Sequence, residues 1–250
     1  SVMQPIDEIA RAYENDGYVA IKQFFSNDQL RNIDAEIERL LADDMSKWGQ
    51  GEIFYEPGSD KVRQLETIER HSDFFRGLMR DRCFIEIAER LFGEEPVCDN
   101  VSYMAKAPKV GSAVPPHQDN AYYNLVPDHA LTFWIALDPS TEENGCMHVV
   151  RGSHKGGIVP HAASGVSGNS YAIPELPNAL KQQEKPILLE PGDCSIHHCV
   201  TIHRSEANRS ASPRRALLLF VRSASCKVDE AGMAKKQEAA RIMYERIQQS

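Results

Sequence analysis

Apolar residues first recur at helical spacing, and beyond the first third of the chain they fall into short runs and alternations. Residues 5–16 carry Ile6, Ile9, Ala10 and Tyr13 on one helical face, with Asp16-Gly17 as the stop. Tyr18 to Ile21 reads as a short strand. Ser26 then offers an N-cap with Gln29 three residues on, a capping box, for a helix burying Leu30, Ile33, Ile37, Leu40 and Leu41. From Ser46 to Arg63 the periodicity is lost among glycines, Trp48, Phe54 and Tyr55, which predicts a long loop, either a surface excursion or part of a pocket rim. Residues 72–92 predict a helical hairpin or one kinked helix, closed by Gly93.

At Pro96 the pattern changes. Val97 to Ala105 alternates as a strand, and Leu131 to Leu137 is apolar enough for a strand buried on both faces. Met147 to Val150, Ile187 to Glu190, Cys194 to His203 and Arg215 to Arg222 predict further strands, with a Pro191-Gly192-Asp193 turn. Short strands separated by turn clusters indicate an antiparallel sandwich or barrel. Residues 155–186 suit a lid or a long surface loop. The closing segment predicts an amphipathic helix with Met233, Ala240, Met243, Tyr244 and Ile247. The expectation is one α+β domain over residues 1–250 with a mainly β core. Residues 1–95 are its mainly helical part, 96–225 the core and 228–250 a C-terminal helix.

The net charge of −8, from 28 Lys and Arg against 36 Asp and Glu, argues against a nucleic-acid partner. It leaves room for a small anion held by one or two arginines. No apolar run approaches a membrane span, and no signal pattern opens the chain. The six cysteines form no CxxC pair, so reduced thiols and a cytoplasmic location are expected.

The chemistry concentrates in Val114-Pro-Pro-His-Gln-Asp-Asn-Ala-Tyr-Tyr123. On an extended segment His117 and Asp119 share a face, with Cα atoms roughly 6.6 Å apart. A carboxylate, an imidazole and a second imidazole from elsewhere make the facial triad of non-haem Fe(II) oxygenases. His197, His198 and His203 are the candidates for the second imidazole. Alternation puts His197 and His203 on one face and His198 on the other. Arg214 and Arg215 follow, and only one of two consecutive strand residues can point inward. An inward arginine needs an anion, either a structural carboxylate or a dicarboxylate cosubstrate.

These motifs resemble the phytanoyl-CoA dioxygenase family of Fe(II)- and 2-oxoglutarate-dependent oxygenases. The resemblance is carried by His117 to Tyr123, Leu131 to Asp138 and Glu143-Asn-Gly-Cys-Met147. Arg151-Gly-Ser-His154, Pro191-Gly-Asp193 and His203 to Arg215 complete it, in family order over about half the chain. It implies a double-stranded β-helix (jelly roll) flanked by N-terminal helices and a C-terminal helix. It implies His117, Asp119 and His203 as iron ligands, and Arg214 with Ser205 on the far carboxylate of 2-oxoglutarate. Trp134 and Asn100 are implied at the cosubstrate pocket. Arg204 departs from the glycine usual after the distal His, which bears on the shape of the pocket mouth. The implied reaction consumes O₂ and hydroxylates an unactivated C–H of a small molecule, releasing succinate and CO₂. Desaturation, cyclisation or epimerisation are alternatives, whereas Asp119 argues against halogenation.

Gln118, Tyr122 and Tyr123 flank the ligands and are candidate substrate contacts. His148 and His154 read as wall or turn residues, and Gly145 and Gly152 as turn chemistry. Two other classes compete: a non-catalytic jelly-roll binding module and a zinc hydrolase using the same three ligands. The first leaves the intact four-residue set without purpose, and the second leaves the inward arginine unexplained. No concentrated basic cradle suits coenzyme A phosphates, so an acyl-CoA is not the expected substrate.

Overall fold

The computed structural model describes residues 4–166 and 170–249, excluding the side chains of 239, 240, 243, 244 and 246–248. The chain opens with α1 (Ile6–Asp16), β1 (Tyr18–Ile21) and α2 (Asn27–Ala42). The Ser26 capping box is present: Gln29 N–H donates to Ser26 Oγ, and Ser26 N–H donates to Gln29 Oε1 at 2.8 Å. A hairpin of β2 (Ile53–Tyr55) and β3 (Val62–Leu65) follows, then α3 (Asp73–Leu78) and α4 (Arg82–Phe92). The 46–63 segment is therefore not one loop. Residues 53–55 pair with 62–65, which join the sheet edge through Gln64 opposite Met104, and Trp48 stacks on His71 away from the cavity described below. Residues 72–92 are two helices.

The β part runs β4 (Pro96–Lys106), β5 (Val114–His117), α5 (Asn120–Tyr123), β6 (Leu125–Val126), β7 (Ala130–Ala136) and β8 (Met147–Val150). Then come β9 (Ala162–Ala163), β10 (Tyr171–Ala172), α6 (Asn178–Lys181), β11 (Glu184–Pro186), β12 (Cys194–His198) and β13 (His203–Ser205). β14 (Arg214–Ser223), β15 (Lys227–Val228) and α7 (Glu230–Gln249) close the chain. A seven-stranded antiparallel sheet, ordered β1-β12-β7-β14-β4-β3-β2, faces a four-stranded sheet, β11-β8-β13-β5. This is a jelly roll with helices on one side, the expected α+β architecture.

Alternation along β7 explains why every residue in it is buried. Phe133 and Ile135 point to the helical side, into a core with Ile33, Ile37, Phe84, Leu217 and Leu219. Trp134 and Ala136 point between the sheets, beside Met147, Val149, Ile187 and Ala216.

Two expected strands are displaced. Ile187 to Glu190 is apolar because Ile187 and Leu189 fill the inter-sheet core, but the paired strand is the polar Glu184–Pro186 before it. Cys194 to His203 is not one strand: residues 199–202 carry the chain from the large sheet to the small one. The 155–186 segment contains a short ribbon and one helical turn. Of the residues expected to form the apolar face of α7, Ala240, Met243, Tyr244 and Ile247 have side chains outside the described residues.

Candidate metal centre and cavity

His117 is the last residue of β5 and His203 the first of β13, and the two are direct partners across the small sheet. Their rings lie 4.2 Å apart, centre to centre. Asp119 reaches them by a different route from the expected extended segment. Its backbone is already helical (φ −56°, ψ −39°) and leads into α5, so a turn after His117 brings the carboxylate back. His117 Nε2 is 3.3 Å and His203 Nε2 3.4 Å from Asp119 Oδ1. All three ligand atoms lie within 4.8 Å of one another.

The other ring nitrogens fix the tautomers. His117 Nδ1 donates to the Pro115 carbonyl at 2.9 Å, and His203 Nδ1 to the Thr201 carbonyl at 3.0 Å. In the neutral rings both Nε2 lone pairs then face a carboxylate oxygen. Only positive charge at the shared point resolves that arrangement: protons in the metal-free protein, or one divalent cation. The donor set therefore fits a metal of the Fe(II) type, with two neutral imidazoles and one carboxylate on one side of it. Burial acts to raise the Asp119 pKa, but His203 and hydrogen bonds from His117, His197 and His203 outweigh it and hold the carboxyl well below its ordinary range.

The cluster opens into a cavity of about 220 Å³ between the two sheets. Arg214 lies in that cavity and is 3 % exposed. Its guanidinium carbon sits 5.1 Å from the centre of the Trp134 indole, and Nη1 donates to the Gly145 carbonyl. Nε is buried without a hydrogen-bond partner. Among the described residues no carboxylate forms an ion pair with Arg214. Burial lowers its pKa to about 10. Directly across the sheet, burial together with Arg214 and Arg63 pushes Lys106 down to about 6. Arg214 is thus the buried cation at this end of the cavity, while Lys106 beside it is held by the Ser112 and Glu206 carbonyls and driven towards its neutral form. Gly145 has to be glycine: φ is +91°, and a Cβ would stand 2.5 Å from the Glu206 carbonyl oxygen.

Residues 13–216 match the family model described as phytanoyl-CoA dioxygenase. The chain belongs to the phytanoyl-CoA dioxygenase family. It is 29 % identical to a probable alpha-ketoglutarate-dependent hypophosphite dioxygenase of Stutzerimonas stutzeri, covering 85 % of this chain and 77 % of that protein. Among solved structures, it resembles the non-heme alpha ketoglutarate dependent carbocyclase SnoK with TM-score 0.72 and 26 % identity, over 88 % and 85 % of the two chains. The related epimerase SnoN aligns with TM-score 0.70 and 25 % identity, over 88 % and 84 %. Family, fold and His-Asp-His cluster are together those of iron- and 2-oxoglutarate-dependent oxygenases.

In this phytanoyl-CoA dioxygenase relative, Ser205, Trp134, Asn100, Tyr122 and Tyr123 all line the cavity. Asn100 does so far from Arg214, donating to Glu66 Oε2 at 2.9 Å. Gln118 does not line it. Its side chain is fully buried behind the metal cluster, donating to the Gly157 and Val200 carbonyls and accepting from Val159 N–H, so the expected substrate contact is instead a structural clamp. Arg204 lines the cavity, tied to Glu184 at 2.7 Å. His154 Nε2 donates to the Glu14 carbonyl at 2.8 Å, and His148 lies 3.7 Å from Glu142.

The sequence reading weighed His197 only as a ligand candidate, and it missed two residues of the cavity wall. His197 Nε2 lies 3.1 Å from Asp119 Oδ2, so it grips the carboxylate oxygen turned away from the other two histidines. Its face on β12 was legible from alternation, but its target was not. Gln64 on β3 and Glu66 just past its end, both beyond the segment read as a loop, also line the cavity.

Proposed function

We propose that the protein hydroxylates a C–H bond of a small molecule, using Fe(II) held by His117, Asp119 and His203 and 2-oxoglutarate anchored by Arg214. The observation that carries this is Arg214: a buried guanidinium without a carboxylate partner among the described residues, in the same cavity as a metal-competent cluster. A structural ion pair would have used that charge, and a zinc hydrolase has no need of it. Bound together, iron and 2-oxoglutarate supply the oxidation, in which O₂ and 2-oxoglutarate give succinate, CO₂ and one oxygen atom in the product.

The chain's share is placement. His117 and His203 present neutral nitrogens, and Asp119 supplies the negative charge. His197 keeps the Asp119 carboxylate turned to the centre as a hydrogen-bonding neighbour. Arg214 takes the distal carboxylate through its fork, with the Ser205 hydroxyl beside it and the Trp134 indole shielding the pair from water. Tyr122 and Tyr123 border the space left for substrate. A second reading uses the same oxidation for epimerisation or ring closure, which the match to SnoN and SnoK favours. Where the substrate C–H and its neighbours sit decides between them.

Residues 1–250 are read as one domain, because the helices of the N-terminal part bury their apolar faces on the large sheet. The partner is a small molecule and not nucleic acid, given the net charge of −8. All six cysteines are free thiols, which supports a reducing, cytoplasmic setting, and no helix is long and apolar enough to cross a membrane. The test is to screen small metabolites aerobically with Fe(II), ascorbate and 2-oxoglutarate. Substrate-stimulated succinate with a product 16 mass units heavier, one added oxygen atom, supports hydroxylation. Succinate with an isomeric product, or one two hydrogens lighter, supports the second reading. No turnover of 2-oxoglutarate with any substrate opposes both.

A further inference from the structure

We propose that Gln64, Glu66 and Asn100 form a recognition site for a cationic nitrogen, so that the substrate is a small molecule carrying an ammonium or similar group. This deepens the oxygenase reading and rests on it.

Gln64 lies on β3 and Glu66 just past its end, two residues apart on extended chain, so both reach the cavity. Gln64 Nε2 donates to Glu66 Oε1, and Asn100 Nδ2 to Glu66 Oε2 at 2.9 Å. Both donors are neutral amides. Among the described residues no Lys, Arg or His forms an ion pair with Glu66. Gln64 Oε1 is buried and has no hydrogen-bond partner. A carboxylate with spare lone pairs and a bare amide oxygen thus share one wall. That wall is rich in acceptors and poor in donors, and its charge is uncompensated. Burial accordingly raises the Glu66 pKa, against the opposing effect of the two amides. An ammonium group brings the missing charge and up to three N–H donors.

Aromatic faces complete the setting. Phe220 is the register partner of Asn100 across the sheet, and the Tyr123 ring lies 4.5 Å from that of Phe220. Both line the cavity, and aromatic faces attract cations. The site is also well separated from the anion anchor. Asn100 is six residues along β4 from Lys106, the partner of Arg214, which is roughly 20 Å at the usual strand rise. Glu66 would repel the carboxylates of 2-oxoglutarate, while Arg214 would repel a cationic substrate. Each ligand is driven to its own end.

If Glu66 served only to hold two amides, it would have no effect on ligand charge preference. The experiment loads wild-type protein anaerobically with Fe(II) and 2-oxoglutarate, then titrates it calorimetrically with benzylammonium, benzyl alcohol and benzoate, and with pentylammonium and pentanol. Wild type is expected to bind at least one ammonium about tenfold more tightly than its alcohol, and benzoate least. Glu66→Gln should erase that preference, while Glu66→Asp, which keeps the charge, should retain most of it. Equal binding of ammonium and alcohol, a preference that survives in Glu66→Gln, or no ammonium binding at all overturns the proposal. The 2-oxoglutarate affinity is measured first on the same samples. Absence of Fe(II)-dependent 2-oxoglutarate binding counts against the oxygenase reading, and the charge preference at Glu66 is read independently of it.

Discussion

Arg214 and Arg215 are neighbours on β14 that face opposite sides of the large sheet. Arg214 enters the cavity, whereas Arg215 grips Asp138 through Nε and Nη2, both at 2.9 Å, and Asp34 of α2 through Nη1 at 2.9 Å. Arg214 has no carboxylate partner among the described residues, whereas Arg215 ties a helix to the sheet. Removing one partner of a buried charge pair costs about 2–5 kcal/mol. Arg214→Ala is therefore expected to raise the 2-oxoglutarate KM at least ~30-fold, with Fe(II) affinity little changed. Arg215→Ala should instead lower stability by about 1–3 kcal/mol and leave that KM near wild type. Steady-state kinetics and thermal unfolding of the two variants check this, and the reverse pattern would contradict the assignment.

The three histidines of residues 197–203 should separate into three classes. His203→Ala is expected to abolish iron-dependent turnover. His197→Ala, which frees one Asp119 oxygen, should cost about 10–100-fold in metal affinity or activity. His198→Ala should leave kcat near wild type, because His198 packs against Tyr13 and His154, away from the cluster. Equal losses in all three would sink the ligand choice.

His198 also makes a prediction about pH. Burial, first among the causes, lowers its pKa to about 4, so it is neutral in the folded protein where the unfolded chain titrates near 6.5. Between those values the unfolded state binds the extra proton. Stability from this residue is present above pH ~6.5 and is lost as pH falls to about 4, by up to about 3 kcal/mol. Denaturant unfolding of metal-free protein should show this loss, and His198→Phe should show a shallower one across the same window. Identical pH slopes in the two proteins would remove His198 as a cause.

Gln118 is expected to be a stability residue. Gln118→Leu removes two donated bonds and one accepted bond to buried backbone, and each stranded group costs about 1–3 kcal/mol. The variant should unfold at lower temperature, with its KM for substrate changed less than by Tyr122→Ala. A large rise in substrate KM with unchanged stability would restore the substrate contact.

The legible parts of the fold were those where one signal suffices. The Ser26 cap, the spacing of Ile33 and Ile37, and the apolar run of β7 each record burial directly. The metal ligands and Arg214 stood out through the motif order. What was not legible depends on neighbours distant in sequence. Residues 62–65 become a strand because β4 offers an edge, and 53–55 pair with them in turn, although glycines and charges surround both. Ile187 and Leu189 are buried without being a paired strand, so apolarity misplaced β11 by three residues. The helical backbone of Asp119 and the sheet change at 199–202 broke the alternation on which the local geometry was read. Glu66 gave no signal, because an acidic residue near a strand end is ordinarily solvated.

The central claim is that one divalent ion and one dicarboxylate occupy opposite parts of a single cavity. Its most direct test is anomalous diffraction from crystals grown anaerobically with Fe(II) and 2-oxoglutarate. A single iron peak is expected about 2.0–2.2 Å from His117 Nε2, Asp119 Oδ1 and His203 Nε2, with the distal carboxylate of 2-oxoglutarate on the Arg214 guanidinium. Iron bound elsewhere, or 2-oxoglutarate with neither end at Arg214, would contradict it.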